Sequence, residues 1–321
     1  MSLSLPEAEA LFGRMLDGGM EGDEIREVLV TLAERGETAE EIAGAARAMR
    51  ARMLRIEAPG NAIDVCGTGG DGQHSLNIST AVAIVVAACG VPVAKHGNRA
   101  ASSKAGGADT LEALGLDLAR ASEKAEETLD EIGIAFLFAG AHHPAMRFVM
   151  PVRREIGRRT IFNLLGPLAN PACVTRQLIG IARPDYVVTY RRAMELLGME
   201  RVMVVSGEVG LDEISIAGPT RVETIGIVGV DDIVTPADAE LPAHPLEAIR
   251  GGDASFNSEA IKCLLDGEEG AYRDAVLLNA AGALIVANAA ESWPEGVEEA
   301  AEALDKGLAK ALLACWIDAV G

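Results

Sequence analysis

Four short stretches of the chain hold residue types that could do chemistry together. The first is Cys66-Gly67-Thr68-Gly69-Gly70-Asp71-Gly72, followed by Asn77-Ile78-Ser79-Thr80 and an apolar run from Ala81. Four glycines among seven residues let backbone N–H groups close on an anion, and the helix that follows adds its positive end. That is a phosphate cradle in physical terms. It is not a Walker loop, because no Lys-Ser/Thr closes it. A tight strand–helix turn capped by Asn77 or Ser79 is the competing reading.

The second stretch, Lys95-His96-Gly97-Asn98-Arg99 through Asp109, carries three cations and two hydroxyls within ten positions. In a chain of net charge −20 such an island suits an anionic ligand better than chance solvation does. The third, His142-His143-Pro144 to Arg159, holds Arg147, Arg153, Arg154, Arg158 and Arg159 against a single Glu155. A guanidinium fork grips a planar carboxylate, yet on a helix at most one or two of these five should face a substrate. For His142 and His143, which as helix neighbours point apart, a helix start or packing is expected rather than a metal. The fourth, Gly207-Glu208-Val209-Gly210-Leu211-Asp212-Glu213, places two hard carboxylates in a glycine-marked turn. That suits Mg²⁺ held with water and phosphate, or a plain acidic turn.

These loops need a scaffold. At 321 residues the chain exceeds the ~250–300 at which one core stops growing, so two unequal domains, or one large domain with an appendage, are expected. Residues 4–55 read as three amphipathic helices: Ser4 caps the first before Pro6, Gly18-Gly19 ends it, Gly36 ends the second, and Thr38 caps the third. From Ala62 apolar runs (Ala62–Val65, Val91–Ala94, Ile134–Phe138, Leu178–Ala182, Val202–Val205) alternate with helical stretches, the texture of an α/β fold. Ala275–Ala290 reads as a buried helix. With two loops following buried strands, the ligand belongs at the strands' carboxyl ends.

A charge of −20 argues against nucleic-acid or anionic-membrane binding. Positions 72–94 lack charged side chains, but Pro92 breaks them, so a buried helix and strand are expected rather than a membrane span. Five scattered cysteines (66, 89, 173, 263 and 315) and no secretory signal pattern place the protein in the cytoplasm.

Together the stretches resemble the anthranilate phosphoribosyltransferases, over roughly residues 5–315. The resemblance rests on Gly67-Thr68-Gly69-Gly70-Asp71 with Asn77-Ile78-Ser79-Thr80, on Lys95–Arg99, and on Arg159-Thr160-Ile161-Phe162-Asn163-Leu164-Leu165-Gly166-Pro167-Leu168-Ala169-Asn170-Pro171. It implies the nucleoside-phosphorylase-like (class III) phosphoribosyltransferase fold: α/β with a small all-helical domain, helical over 1–60 with later helices added, and a larger α/β domain over 61–321. A homodimer is implied too.

It further implies that phosphoribosyl pyrophosphate (PRPP) is surrounded by Gly67, Gly70, Asp71, Ser75, Asn77, Ile78, Ser79, Thr80, Lys95, His96, Gly97, Asn98, Arg99, Ala100, Ala101, Ser102, Ser103 and Gly107. Gly67, Asn98 and Arg153 would meet anthranilate, with His96 and Pro144 walling its path. Ser79, Asp212 and Glu213 would hold Mg²⁺, two ions in all. The chain departs from the family at Gly107, where Ser is usual, at Ser75-Leu76 for Thr-Phe, and at Glu208-Val209-Gly210 before the acidic pair. None of these removes an implied metal ligand or the motif arginine. The alternatives are a pyrimidine-nucleoside phosphorylase, disfavoured by Asp212-Glu213 and the Asn163–Pro171 motif, and a non-catalytic nucleic-acid-binding paralogue, disfavoured by the charge.

Overall fold

The computed structural model describes residues 2–100, 104–208 and 210–321. Three helices open the chain: α1 (Leu5–Leu16), α2 (Gly22–Arg35) and α3 (Ala39–Arg50). Local chemistry sets their ends. The Ser4 N–H donates to Glu7 at 2.8 Å, and Thr38 Oγ1 accepts from the Glu41 N–H at 3.3 Å, as a capping box requires. Gly18 and Gly36 take positive φ just after α1 and α2.

The sheet comprises β1 (Ile63–Gly67), β2 (Val93–Gly97), β3 (Ile134–Phe138), β4 (Arg176–Gly180), β5 (Arg201–Gly207), β6 (Thr220–Ile225) and β7 (Ile233–Val234), in the order β3-β2-β1-β4-β5-β6-β7. The first five are parallel; β6 and β7 run antiparallel at one edge. The strand order reverses between β1 and β4, which opens a crevice beyond their carboxyl ends. Gly67 and Gly180, register partners, end these two strands there.

Side chains of β1 alternate between two cores. Ile63 and Val65 pack with helix α4 (Ile78–Ala88) and the long helix Ala271–Ala287, whereas Cys66 joins Ile179, Val202 and Val204 against Phe12, Leu16, Leu29 and Ile42 of the opening helices. Later segments complete the helical side. Helix Met150–Ile156 packs on α2 and helix Val187–Leu196 on α3, pinned by Tyr186 Oη donating to Glu37 at 2.7 Å and Arg47 to the Leu196 carbonyl at 2.8 Å.

The structure shifts several expected boundaries. The strand expected at Val91–Ala94 begins at Val93, because Pro92 has no N–H to pair and serves only as acceptor for Ile63 N at 2.9 Å. The helix expected over 275–290 starts at Ala271 and stops at Ala287, where Asn288 turns left-handed. His142 ends the short helix Ala139–His142 and is buried with His143, so of the two roles expected of this pair packing is the one His142 takes. The edge strands β6 and β7 carry no uniform apolar run, so the expected set of strands lacked them. Residues 78–88 and 93–97 are the buried helix and strand expected in the uncharged stretch. Among the described residues no helix is long and apolar enough to cross a membrane.

Candidate functional site

The glycine loop leaves β1 at the crevice. The Thr68 N–H donates to the Gly180 carbonyl at 2.9 Å, and Gly69, Gly70 and Gly72 take φ values of 70°, 73° and 76°, a left-handed run closed to most side chains. The turn after β5 crosses the end of β4 to reach this loop. Such an approach needs glycine at both strand ends: a Cβ on Gly67 would stand 2.4 Å from Asp212 Oδ2, and one on Gly180 1.6 Å from the Asp212 carbonyl oxygen. Asp212 Oδ2 accepts from the Gly69 N–H at 2.6 Å, and Glu213 Oε1 from the Ser79 N–H at 3.2 Å. Asn279, polar within the apolar helix Ala271–Ala287, clamps the following residue. Its Oδ1 accepts from Ile214 N at 2.8 Å and its Nδ2 donates to Ile214 O at 2.9 Å.

Among the described residues the acidic pair has no cation in ion-pair contact. Burial, then the neighbouring Asp71, pushes the Asp212 carboxyl up. Burial and Asp212 push Glu213 up, with Lys95 only partly offsetting them. Asp71 Oδ1 accepts from Gln73 N, while its buried Oδ2 lacks a partner among the described residues. Nor do three His, Cys, Asp or Glu side chains of the described residues converge as a metal cage. These carboxylates therefore fit a hard cation that takes its remaining oxygens from water and phosphate.

Lys95 in the middle of β2 is buried. Its Nζ donates to the Val65 carbonyl at 2.6 Å and to Ser79 Oγ at 3.2 Å. It lies on a cavity of about 330 Å³ with the glycine loop on one side and Arg153, Phe162 and Asn163 on another. Arg153, mostly buried, lies over the Phe162 ring and its Nη2 is 3.4 Å from Asn163 Oδ1. The other four arginines are engaged elsewhere or exposed: Arg147 on Phe148, Arg158 with Glu34, Arg159 on the Gly69 carbonyl, Arg154 in solvent.

His96 forms a further wall. Its Nδ1 is 2.9 Å from the Gly166 carbonyl and its Nε2 3.2 Å from His143 Nε2. Burial, reinforced by the other imidazole, pushes His96 down to about 3, and burial with His142 pushes His143 to about 4, so both rings are neutral.

Family-model matches cover both parts of the chain: the glycosyl transferase family helical bundle domain over residues 1–53 and its a/b domain over 59–310. An anthranilate phosphoribosyltransferase from Novosphingobium aromaticivorans is 64% identical over 316 residues, covering 98% of this chain and 96% of the relative. The chain belongs to the anthranilate phosphoribosyltransferase family. Two solved family members agree in fold. The enzyme from Thermus thermophilus matches with a TM-score of 0.93 at 43% identity over 100% of this chain and 96% of its own. The enzyme from Saccharomyces cerevisiae, in complex with PRPP and Mg, matches with a TM-score of 0.90 at 28% identity, covering 99% and 93%.

In this member of the anthranilate phosphoribosyltransferases, Gly67, Gly70, Ser79, Lys95, His96, Gly97, Asn98, Arg99, Ala100, Gly107 and Arg153 line the same cavity. Asp71, Ser75, Asn77, Ile78, Thr80, Asp212 and Glu213 lie behind or beside that lining. Ile78 is core, and Asn77 Oδ1 is spent on Thr110 at 2.6 Å and Asn257 at 2.8 Å. Ser75 bridges to Arg250. The Arg99 guanidinium is turned to Asp109 and Glu112, bordering a separate groove of about 900 Å³. Pro144 is exposed. Ala101, Ser102 and Ser103 lie outside the described residues. At Gly107 a Cβ would stand 3.2 Å from Thr80 Oγ1, a buried hydroxyl without a partner among the described residues.

Residue reasoning gave no role to Asn163, Gly166 and Pro167, which line the cavity, or to Asn279. The available signals were the motif run itself and one amide inside an apolar helix.

Proposed function

We infer that this chain transfers the 5-phosphoribosyl group of PRPP to the amine of anthranilate, releasing pyrophosphate, in tryptophan biosynthesis. The observation that carries this is a cavity that sets the glycine loop and Lys95 with Arg153 and Phe162, in a chain 64% identical to a named family member. The Saccharomyces enzyme holding PRPP and Mg supports the same substrate and Mg²⁺ here.

In this reading Gly67, Gly70, Ser79, Gly107 and the stretch from Lys95 to Ser103 surround PRPP, while Asp71, Ser75, Asn77, Ile78 and Thr80, expected beside it, support the loop from outside the cavity lining. Arg153 grips the anthranilate carboxylate beside Asn98 and Gly67. Ser79, Asp212 and Glu213 hold Mg²⁺, with two ions bound alongside pyrophosphate. Magnesium, when bound, offsets the leaving group's growing charge. Lys95, on the cavity lining, stabilises the same charge by its position beforehand. No side-chain nucleophile is used. Anthranilate's amine attacks C1 directly, so orientation by Arg153 and the flat Phe162 ring matters more than proton removal. Neutral His96 excludes water without competing for the anthranilate carboxylate.

We also propose division into residues 1–60 and 61–321, a homodimer formed through the helical part, and a cytoplasmic location. Loss of anthranilate fluorescence, followed with and without PRPP and Mg²⁺, tests the reaction. Turnover requiring both supports it. Phosphorolysis of a pyrimidine nucleoside, or duplex-DNA binding with no turnover, would overturn it.

A further inference from the structure

Asp64 is a fully buried carboxylate near the start of β1, on the face where Cys66, Ile179, Val202 and Val204 make an apolar core. It does not line the cavity, and it is absent from the residues the family resemblance assigns to substrates. Burying a charge there costs free energy, and an aliphatic side chain would suit that face better, unless the charge organises something.

Its oxygens gather three separate pieces of chain. Oδ1 accepts from the His96 backbone N–H at 3.1 Å. Oδ2 accepts from Asn170 Nδ2 at 2.8 Å, from Gln177 Nε2 at 3.2 Å and from the Cys66 thiol at 3.4 Å. Gln177 is its cross-strand partner on β4, and passes the contact on by donating to the Pro167 carbonyl at 2.8 Å. Asn170 in turn donates to the Ala94 carbonyl at 2.8 Å and accepts from the Ala172 N–H at 2.8 Å. His96 closes the circuit through Nδ1 and the Gly166 carbonyl at 2.9 Å. The three residues at the ends of these links, His96, Gly166 and Pro167, all line the cavity.

We propose that Asp64 is a positioning residue for the aromatic substrate, setting the His96 and Gly166–Pro167 walls from beneath without touching anthranilate. The motif 163–171 then has a mechanical reason for its composition. Asn170 and the carbonyls of Gly166 and Pro167 are the points by which the wall is fastened to a buried carboxylate. His96 also borders PRPP, whereas the Gly166 and Pro167 carbonyls have no part in holding it, so the larger effect of Asp64 falls on anthranilate.

The inference rests on the function proposed above, and one series of assays separates the two. Asp64→Asn keeps the shape but turns an amide N–H toward either Asn170 and Gln177 or the His96 N–H, donor against donor. The KM for anthranilate should rise about tenfold or more while the KM for PRPP stays within about threefold. Gln177→Leu keeps the Asp64 carboxylate with its His96 and Asn170 partners but removes the Gln177 link between it and the Pro167 carbonyl, and should raise the anthranilate KM alone by about 3-fold. That second variant decides the matter if Asp64→Asn does not fold. Equal changes in both KM values, a fall in kcat alone, or a lower melting temperature with unchanged KM would make the network structural only. Wild-type protein without PRPP-dependent loss of anthranilate fluorescence would instead sink the functional reading.

Discussion

Two carboxylate sites in this molecule, Glu41 fully buried and the Asp212–Glu213 pair partly so, end in opposite electrostatic states. Glu41 in α3 is fully buried, yet its carboxyl is held below the ordinary range. Burial pushes it up, and the Arg35 fork at 2.6 Å with the Leu3 and Thr38 N–H groups outweighs burial. Asp212 and Glu213 receive backbone N–H bonds as well, but they face Asp71 and each other without a described cation in ion-pair contact, and both are pushed up. One acid completes the fold with parts the chain already owns. The other pair is left short of positive charge at the crevice where ligands of this fold class bind, and a structure that bears such a cost marks where its ligand supplies the remainder.

The contrast is broken most severely at the acidic pair. Asp212→Asn with Glu213→Gln should lower kcat/KM by about 100-fold or more with unchanged circular dichroism, and excess EDTA should stop the wild-type enzyme. Retained turnover in either case would place the metal elsewhere.

Next in size is Arg153→Ala, which removes a charge-assisted contact of about 1.5–3 kcal/mol, roughly 10- to 150-fold in the KM for anthranilate. Arg154→Ala, exposed one position away, is the control and should change neither KM appreciably. Equal damage in the control would remove Arg153 from the carboxylate.

Gly70→Ala tests the cradle. At φ 73° an alanine carries about 1–2 kcal/mol of left-handed strain, so the KM for PRPP should rise about 5- to 30-fold with the anthranilate KM little changed. An unaffected PRPP KM would reduce the loop to a turn.

The smallest effect on catalysis, and the sharpest test of the contrast, is the pH dependence of stability. Glu41 has a lowered folded pKa, so its stabilisation is present above the unfolded value of 4.5 and fades as pH falls through the folded one. Glu41→Gln should cost ~1–3 kcal/mol near neutrality, less in acid, and leave kcat unchanged. Asp212 and Glu213 have raised folded values, so in metal-free protein their contribution is full in acid and is lost as pH rises above the ordinary carboxylate range. Added Mg²⁺ should therefore raise the melting temperature more at pH 8 than at pH 6. The same increment at both would show that the pair ionises without need of a cation.

Much of this was legible in the linear chain. The helix ends at Ser4, Gly36 and Thr38, the buried strands, the glycine loop and the acidic turn are local patterns, carried by residues within a few positions of one another. Helices and loops of this kind follow from capping, backbone freedom and the spacing of apolar side chains, and none of these needs a distant partner. The motif 159–171 was visible as a motif, but without a role.

What only the tertiary structure decided are the meetings. That Asp212 lies against Gly67 and Gly180, that Arg153 rather than Arg154 reaches the cavity, that Asn77 faces Thr110 and Asn257, and that Arg99 is drawn to Glu112 all depend on how the folded chain brings separate segments side by side. Composition and spacing name the groups able to bind phosphate or carboxylate. Which of them point into one space is set by sheet order and by the register of β1 against β4, where a shift of one residue would turn Asp64 and Cys66 to the other core.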